Sequence, residues 1–122
     1  MAIITPTFLP ALDDGSFVVI KWANMANGDV GAECGFVQYA DRSVQVAGTL
    51  GVGGSVRWEG SNDSVNYAVL TDPQGNNLDF SVVKIETVTE IAVLARPRVT
   101  SGDGTTSLTV TMLARRANPM RT

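Results

Sequence analysis

Arg57-Trp58-Glu59-Gly60-Ser61-Asn62-Asp63-Ser64-Val65-Asn66-Tyr67-Ala68-Val69-Leu70 decides the fold class of this chain. The stretch reads as a strand ending in Trp58, a tight polar turn over residues 60–66, and a second strand opening at Tyr67. Successive side chains on a strand point to opposite faces, so Val56 and Trp58 share one face and Arg57 and Glu59 the other. The apolar pair marks the buried side, and Trp58 is expected in the core. Short alternating strands flank this hairpin on both sides, and no catalytic constellation accompanies them.

Outward from the hairpin the same grammar repeats. Residues 16–23 (Ser-Phe-Val-Val-Ile-Lys-Trp-Ala) are β-branched and aromatic, as in a strand buried largely on both faces, and Trp22 falls in the core. Further strands are expected over 33–37, 43–50, 55–59, 67–71, 78–83, 85–88, 91–98 and 106–113, with 84–90 also readable as a helical turn. Pro97 is expected to end its strand, because proline donates no ladder hydrogen bond. In the last strand Leu108, Val110 and Met112 alternate with Ser107, Thr109 and Thr111. Turn chemistry separates these runs at Asn27-Gly28-Asp29, Asp72-Pro73-Gln74-Gly75 and Ser101-Gly102-Asp103-Gly104. Gly48, Gly51, Gly53 and Gly54 predict a bulged or sharply turned hairpin; without a Gly-Lys-Ser/Thr ending they do not cradle phosphate. Seven to nine short strands at such spacing predict an all-β, antiparallel sandwich or jelly roll.

The 122 residues make one domain of this kind, divided as an N-terminal arm over 1–15, the sandwich over 16–114 and a basic C-terminal tail over 115–122. Pro6 and Pro10 bar a regular helix from the arm, while Ile3, Ile4, Phe8, Leu9 and Leu12 give it apolar side chains that need a partner. They fold back over the sandwich or reach a neighbouring chain. Charge is unevenly spread: residues 1–90 hold four basic against eleven acidic side chains, and residues 91–122 hold five arginines against Asp103 alone. Arginine forks onto carboxylates, so this late basic segment fits an acidic protein neighbour. The acidic balance of the rest opposes nucleic acid.

The chain contains no histidine, which removes Ser-His-Asp and Cys-His nucleophile arrangements and most zinc sites. Most of its aspartates fall in turns, where they cap backbone amides. No enzyme activity, metal or cofactor is expected. Cys34 is the lone cysteine, so no internal disulfide forms, and a buried thiol acting as a small hydrophobe is expected. No apolar run reaches the length of a membrane span, and the start of the chain lacks the basic region of a secretory signal. Asn62, Asp63 and Tyr67, exposed at the hairpin, are the candidate ligand surface.

Two resemblances arise from these residues. The hairpin from Trp58 to Tyr67 resembles the GSNDG-x-x-W hairpin of discoidin-like, galactose-binding jelly rolls, departing from it at Ser64 (commonly Gly) and Tyr67 (commonly Trp). A carbohydrate-binding module on a receptor-binding structure is what that likeness implies. The second is broader. Asn27-Gly28-Asp29, Tyr39-Ala40-Asp41-Arg42-Ser43-Val44-Gln45-Val46, Gly48-Thr49-Leu50-Gly51, Gly60-Ser61-Asn62-Asp63, Leu70-Thr71-Asp72-Pro73-Gln74-Gly75, Arg96-Pro97-Arg98-Val99, Gly102-Asp103-Gly104-Thr105-Thr106 and Ala114-Arg115-Arg116, in this order, are similar to small structural proteins of tailed bacteriophages. That resemblance implies a virion structural protein, foremost a capsid decoration or cement protein bound to the major capsid protein and assembled as a homotrimer, with the neck or tail as the alternative position. The expected interface residues are then Ile3, Ile4, Phe8 and Leu9 in the arm and Arg115, Arg116 and Arg121 in the tail. Deleting residues 1–12 is expected to weaken attachment or assembly while the sandwich stays folded.

Overall fold

The computed structural model describes residues 1–9 and 16–116. It is all-β, with two sheets packed face to face. The first sheet contains β1 (Ile3–Ile4), β4 (Val30–Gly31), β10 (Leu94–Ser101), β6 (Ser55–Ser61) and β7 (Ala68–Val69) in that spatial order, with β8 (Asp79–Phe80) pairing β6 beyond β7. The second runs β2 (Thr7–Leu9), β3 (Phe17–Met25), β11 (Ser107–Arg115), β5 (Asp41–Thr49) and β9 (Lys84–Val88). All named pairings are antiparallel except β1 with β4.

Alternation places the core. Ile20 and Trp22 of β3, Val44 and Val46 of β5 and Leu108, Val110 and Met112 of β11 point inward from one sheet. Val56 and Trp58 of β6, Phe80 of β8 and Ala95 and Val99 of β10 meet them from the other. Trp22 and Trp58 touch edge to face across the gap, with centroids 5.6 Å apart, a geometry worth about 1 kcal/mol beyond area burial. Both tryptophans and Cys34 are therefore buried, as the sequence predicts, and burial pushes the Cys34 thiol up to about 11.

Three local expectations change. β10 runs straight through Pro97 instead of ending there. Trp58, opposite Pro97, sends its own amide and carbonyl to Leu78 and Leu70 on its far side, so Pro97 sits at a position that needs no donor toward β6. On the other side Gly31 makes room for the ring: a Cβ there would lie 2.6 Å from Pro97 Cδ. Residues 33–37 form only a bridge from Cys34 to Ala95. Beyond it the buried Arg42 guanidinium takes the carbonyls of Gly35, Phe36 and Tyr39, and Phe36 turns to φ 64°. The expected strands 67–71 and 78–83 shorten to β7 and β8, which line up end to end along β6. The strand expected over 85–88 is present as β9, and the alternative helical turn does not form.

The glycine-rich segment is not a hairpin. It carries the chain from β5 in the second sheet to β6 in the first, and residues 102–106 carry it back from β10 to β11. The two arches are tied together: Asp103 Oδ2 accepts the Val52 amide at 2.9 Å, and the Thr106 hydroxyl donates to the Leu50 carbonyl at 2.8 Å. Hydrogen bonds from Thr105 and the Val52 amide lower the Asp103 carboxyl from its ordinary 3.8 to about 2. A depressed folded value contributes stability that is present above the unfolded value and lost as pH falls through the folded one. The amide resonances of Val52 and Thr105 are thus expected to hold their native positions at pH 4 and to move together near pH 2. Movement near pH 4 would mean that these bonds do not form.

Residues 1–9 belong to both sheets. β1 pairs β4, and after Pro6 the chain changes sheet so that β2 pairs β3. The Asp29 carboxylate fixes the start by accepting the Ala2 amide at 3.0 Å. At the other end β11 extends to Arg115, two residues past its expected end.

Candidate functional site

The outer face of the second sheet is built by the residues that alternate with its core. Two rows cross all five strands: Leu9, Val19, Leu113, Ser43 and Thr87, then Thr7, Lys21, Thr111, Gln45 and Ile85. Lys21 is the single charged residue in these rows. Leu9, Leu113 and Ile85 stand 53%, 41% and 57% exposed. At one end Arg115 lies opposite Asp41 and donates to its carboxylate at 2.8 Å, so that charge is neutralised at the rim. With strands about 4.8 Å apart and about 3.3 Å per residue, the face covers roughly 600 Å². A standard interface takes about 800 Å² from each partner, so the face alone sits near the lower limit for stable docking.

The outer face of the first sheet is the opposite in character. Arg96 lies directly across from Glu59, and Arg98 across from Arg57. Like charges in cross-strand positions repel, and each guanidinium is drawn to a carboxylate. Arg57 donates to Asp79 at 2.9 Å, while Glu59, only 2% exposed, accepts from Arg96 Nε at 2.8 Å and Arg98 Nε at 3.3 Å. The Arg96 guanidinium stacks 3.7 Å from the Tyr67 ring centroid, and the Tyr67 hydroxyl donates to Glu33 at 3.2 Å. An open cleft of about 440 Å³ lies here, lined by Arg96, Arg98, Glu59, Tyr67, Val30, Val65, Met1 and Ile3.

The candidate ligand surface at the hairpin is spent largely on the turn itself. Asp63 accepts the amides of Val65 and Asn66, the Ser61 hydroxyl and the Asn66 side-chain amide, and these bonds hold its carboxyl far below the ordinary carboxylate range. Asn62 Oδ1 accepts the Val93 amide. One face of Tyr67 is covered by Arg96. Ser64, the position where the resembling hairpins carry glycine, has φ 63°, a backbone that an L side chain adopts only at a cost. Ser64→Gly is expected to raise stability by about 0.5 kcal/mol in urea melts, and a loss of stability would count against strain at this turn.

Of the expected interface residues, Ile3 is exposed beside the cleft and Ile4 packs against the core. Phe8 leans on Phe36 with centroids 5.7 Å apart, and Leu9 joins the outer face of the second sheet. Arg115 pairs with Asp41, and the Arg116 guanidinium lies 5.4 Å from the Tyr39 ring. Arg121 and residues 10–15 lie outside the described residues. The structure thus divides the arm residues between two faces rather than gathering them in one patch.

Sequence reasoning missed Lys21, Thr111 and Gln45 as a shared face and Glu59, Arg96 and Arg98 as a cluster. A local signal existed for each. Arg96 and Arg98 are two apart on a strand and must share a face, and residues 43, 45 and 47 alternate with buried valines. Among the described residues no group of three or more acidic or cysteine side chains is placed to hold a metal ion. Among the same residues no helix is long and apolar enough to cross a membrane. Comparison of the chain with protein-family models, with curated proteins and with solved structures gave no match.

Proposed function

We propose that this chain is a structural protein of a tailed-phage virion, foremost a decoration protein that binds the major capsid protein shell and stabilises it. The observation that carries the reading is the outer face of the second sheet, where two rows span five strands with Lys21 as their one charge. Such a face loses little by leaving water, because hydroxyl and aliphatic groups desolvate at far lower cost than ions. Its size supports the second half of the proposal. A contact of roughly 600 Å² gives weak docking by one copy, and linking copies multiplies it. Self-association, foremost as a homotrimer, supplies that multiplicity. The phage-like order of turns and strands supports the location.

Charging the face tests it. Thr111→Glu combined with Gln45→Glu puts two carboxylates in the middle of the docking rows while leaving the core untouched. Lys21 lies across from position 111 and can pair with one new carboxylate, which leaves the other without a partner. Purified chain mixed with heads lacking it is expected to co-sediment, and the double variant is expected to lose at least ten-fold in affinity, as desolvating one unpaired charge costs several kcal/mol. Full occupancy by the double variant would sink the assignment of the face. Imaging of intact virions checks the position: copies numbering in the hundreds mean the shell, whereas about six or twelve mean a closed ring in the neck or tail.

A further inference from the structure

We infer that the cleft on the outer face of the first sheet binds a carboxylate carried on an apolar segment of another polypeptide. This site lies on the opposite side of the sandwich from the face assigned to docking and does not rest on that assignment. The charges of the cleft are unevenly spent. Glu59 is buried and engaged by two guanidiniums, so two positive groups meet one negative group. Arg96 is consumed, bonded to Glu59 at its Nε and stacked on Tyr67. Arg98 is tethered by its Nε alone, and among the described residues its terminal nitrogens bond to nothing while its side chain is 38% exposed. Two neighbouring acids are already committed: Asp79 to Arg57, and Glu33 to the Tyr67 hydroxyl. What remains is a guanidinium held in place with its two-pronged end open, the geometry that grips a carboxylate with two parallel bonds.

The apolar wall beside it narrows the ligand. Ile3 and Val65 line the same cleft and are 69% and 77% exposed. A bare anion makes no use of them, and a purely apolar ligand would strip water from Arg98 without replacing it. An Asp or Glu side chain, or a chain terminus, flanked by aliphatic residues satisfies both. With one ring face taken by Arg96 and its hydroxyl donated to Glu33, Tyr67 keeps only part of its surface for stacking on a sugar ring.

The test uses the full chain, isotopically labelled for amide NMR, and three probes: the peptide acetyl-Gly-Leu-Asp-Leu-Gly-amide, its Asn counterpart, and inorganic phosphate. The acidic peptide is expected to shift amides around Glu59, Arg96, Arg98 and Ile3 and leave those around Lys21 and Thr111 unmoved. The Asn peptide and phosphate are expected to bind at least ten-fold more weakly. Arg98→Met is expected to weaken the acidic peptide about ten-fold, the equivalent of one charge-assisted hydrogen bond. Ile3→Ser, at an exposed position that leaves the fold intact, is expected to weaken it about three-fold through lost apolar contact. Equal binding of the Asn peptide, or phosphate binding as tight as the acidic peptide, would overturn the inference in the unsubstituted chain. Shifts centred on the second sheet would do the same.

Discussion

Trp22→Ala is expected to cost about 4 kcal/mol of folding stability, a large part of what a domain this size possesses. Trp22 is fully buried, contacts Trp58 across the two sheets and donates its Nε1 proton to the Ala32 carbonyl at 3.0 Å. Alanine removes the indole from the centre of the sandwich and leaves a cavity that rigid sheets close only partly. A pair of conservative replacements separates packing from hydrogen bonding. Trp58 is as deeply buried, yet its Nε1 has no partner among the described residues, a burden of about 1–3 kcal/mol that phenylalanine would relieve. Trp22→Phe, by contrast, takes the donor away from Ala32. Urea melts are expected to show Trp58→Phe as the milder change by about 2 kcal/mol. If Trp58→Phe proved equally costly or worse, packing alone would govern both sites.

Gly54→Ala should destabilise by about 3 kcal/mol, far more than its neighbour Gly53→Ala at about 1 kcal/mol. Gly53 has φ 66° with nothing near the position of a Cβ, so only the left-handed backbone penalises a side chain there. Gly54 lacks a positive φ but is hemmed in by backbone: a Cβ would lie 1.9 Å from the Leu50 carbonyl oxygen and 2.6 Å from its carbon. Backbone cannot swing aside as a long side chain can, so the arch from β5 to β6 must open. Opening it also disturbs the Thr106 bond to Leu50 that joins this arch to the one from β10 to β11. Thermal melts of the two variants check the ranking. Equal costs, or a harmless Gly54→Ala, would show that the arch relaxes freely.

These two sites show how differently the chain could be read beforehand. Trp58 was legible as core because it alternates with charged neighbours. Pro97 misled because local rules treat a missing donor as a strand end, whereas here no β6 partner requires that donor and Gly31 admits the ring. The glycine segment was legible as a sharp change of direction, but not as a passage between sheets. A hairpin and an inter-sheet arch place the same demands on a few residues and differ only in where the next strand lands.

Alternation and turn chemistry by themselves determined that this protein is all-β, that both tryptophans are core, and that Asp29, Asp63, Asp72 and Asp103 cap turns. Those properties follow from each residue and its neighbours within a few positions. Which strands lie side by side was decided by tertiary structure alone. Glu59 meets Arg96 across 37 positions of sequence, and Leu9, Val19, Leu113, Ser43 and Thr87 become one row only once β2, β3, β11, β5 and β9 pair in that order. Strand order is selected by the collective burial of both inner faces, a non-local quantity that no short stretch encodes. The faces and clefts that bear on function are products of that order.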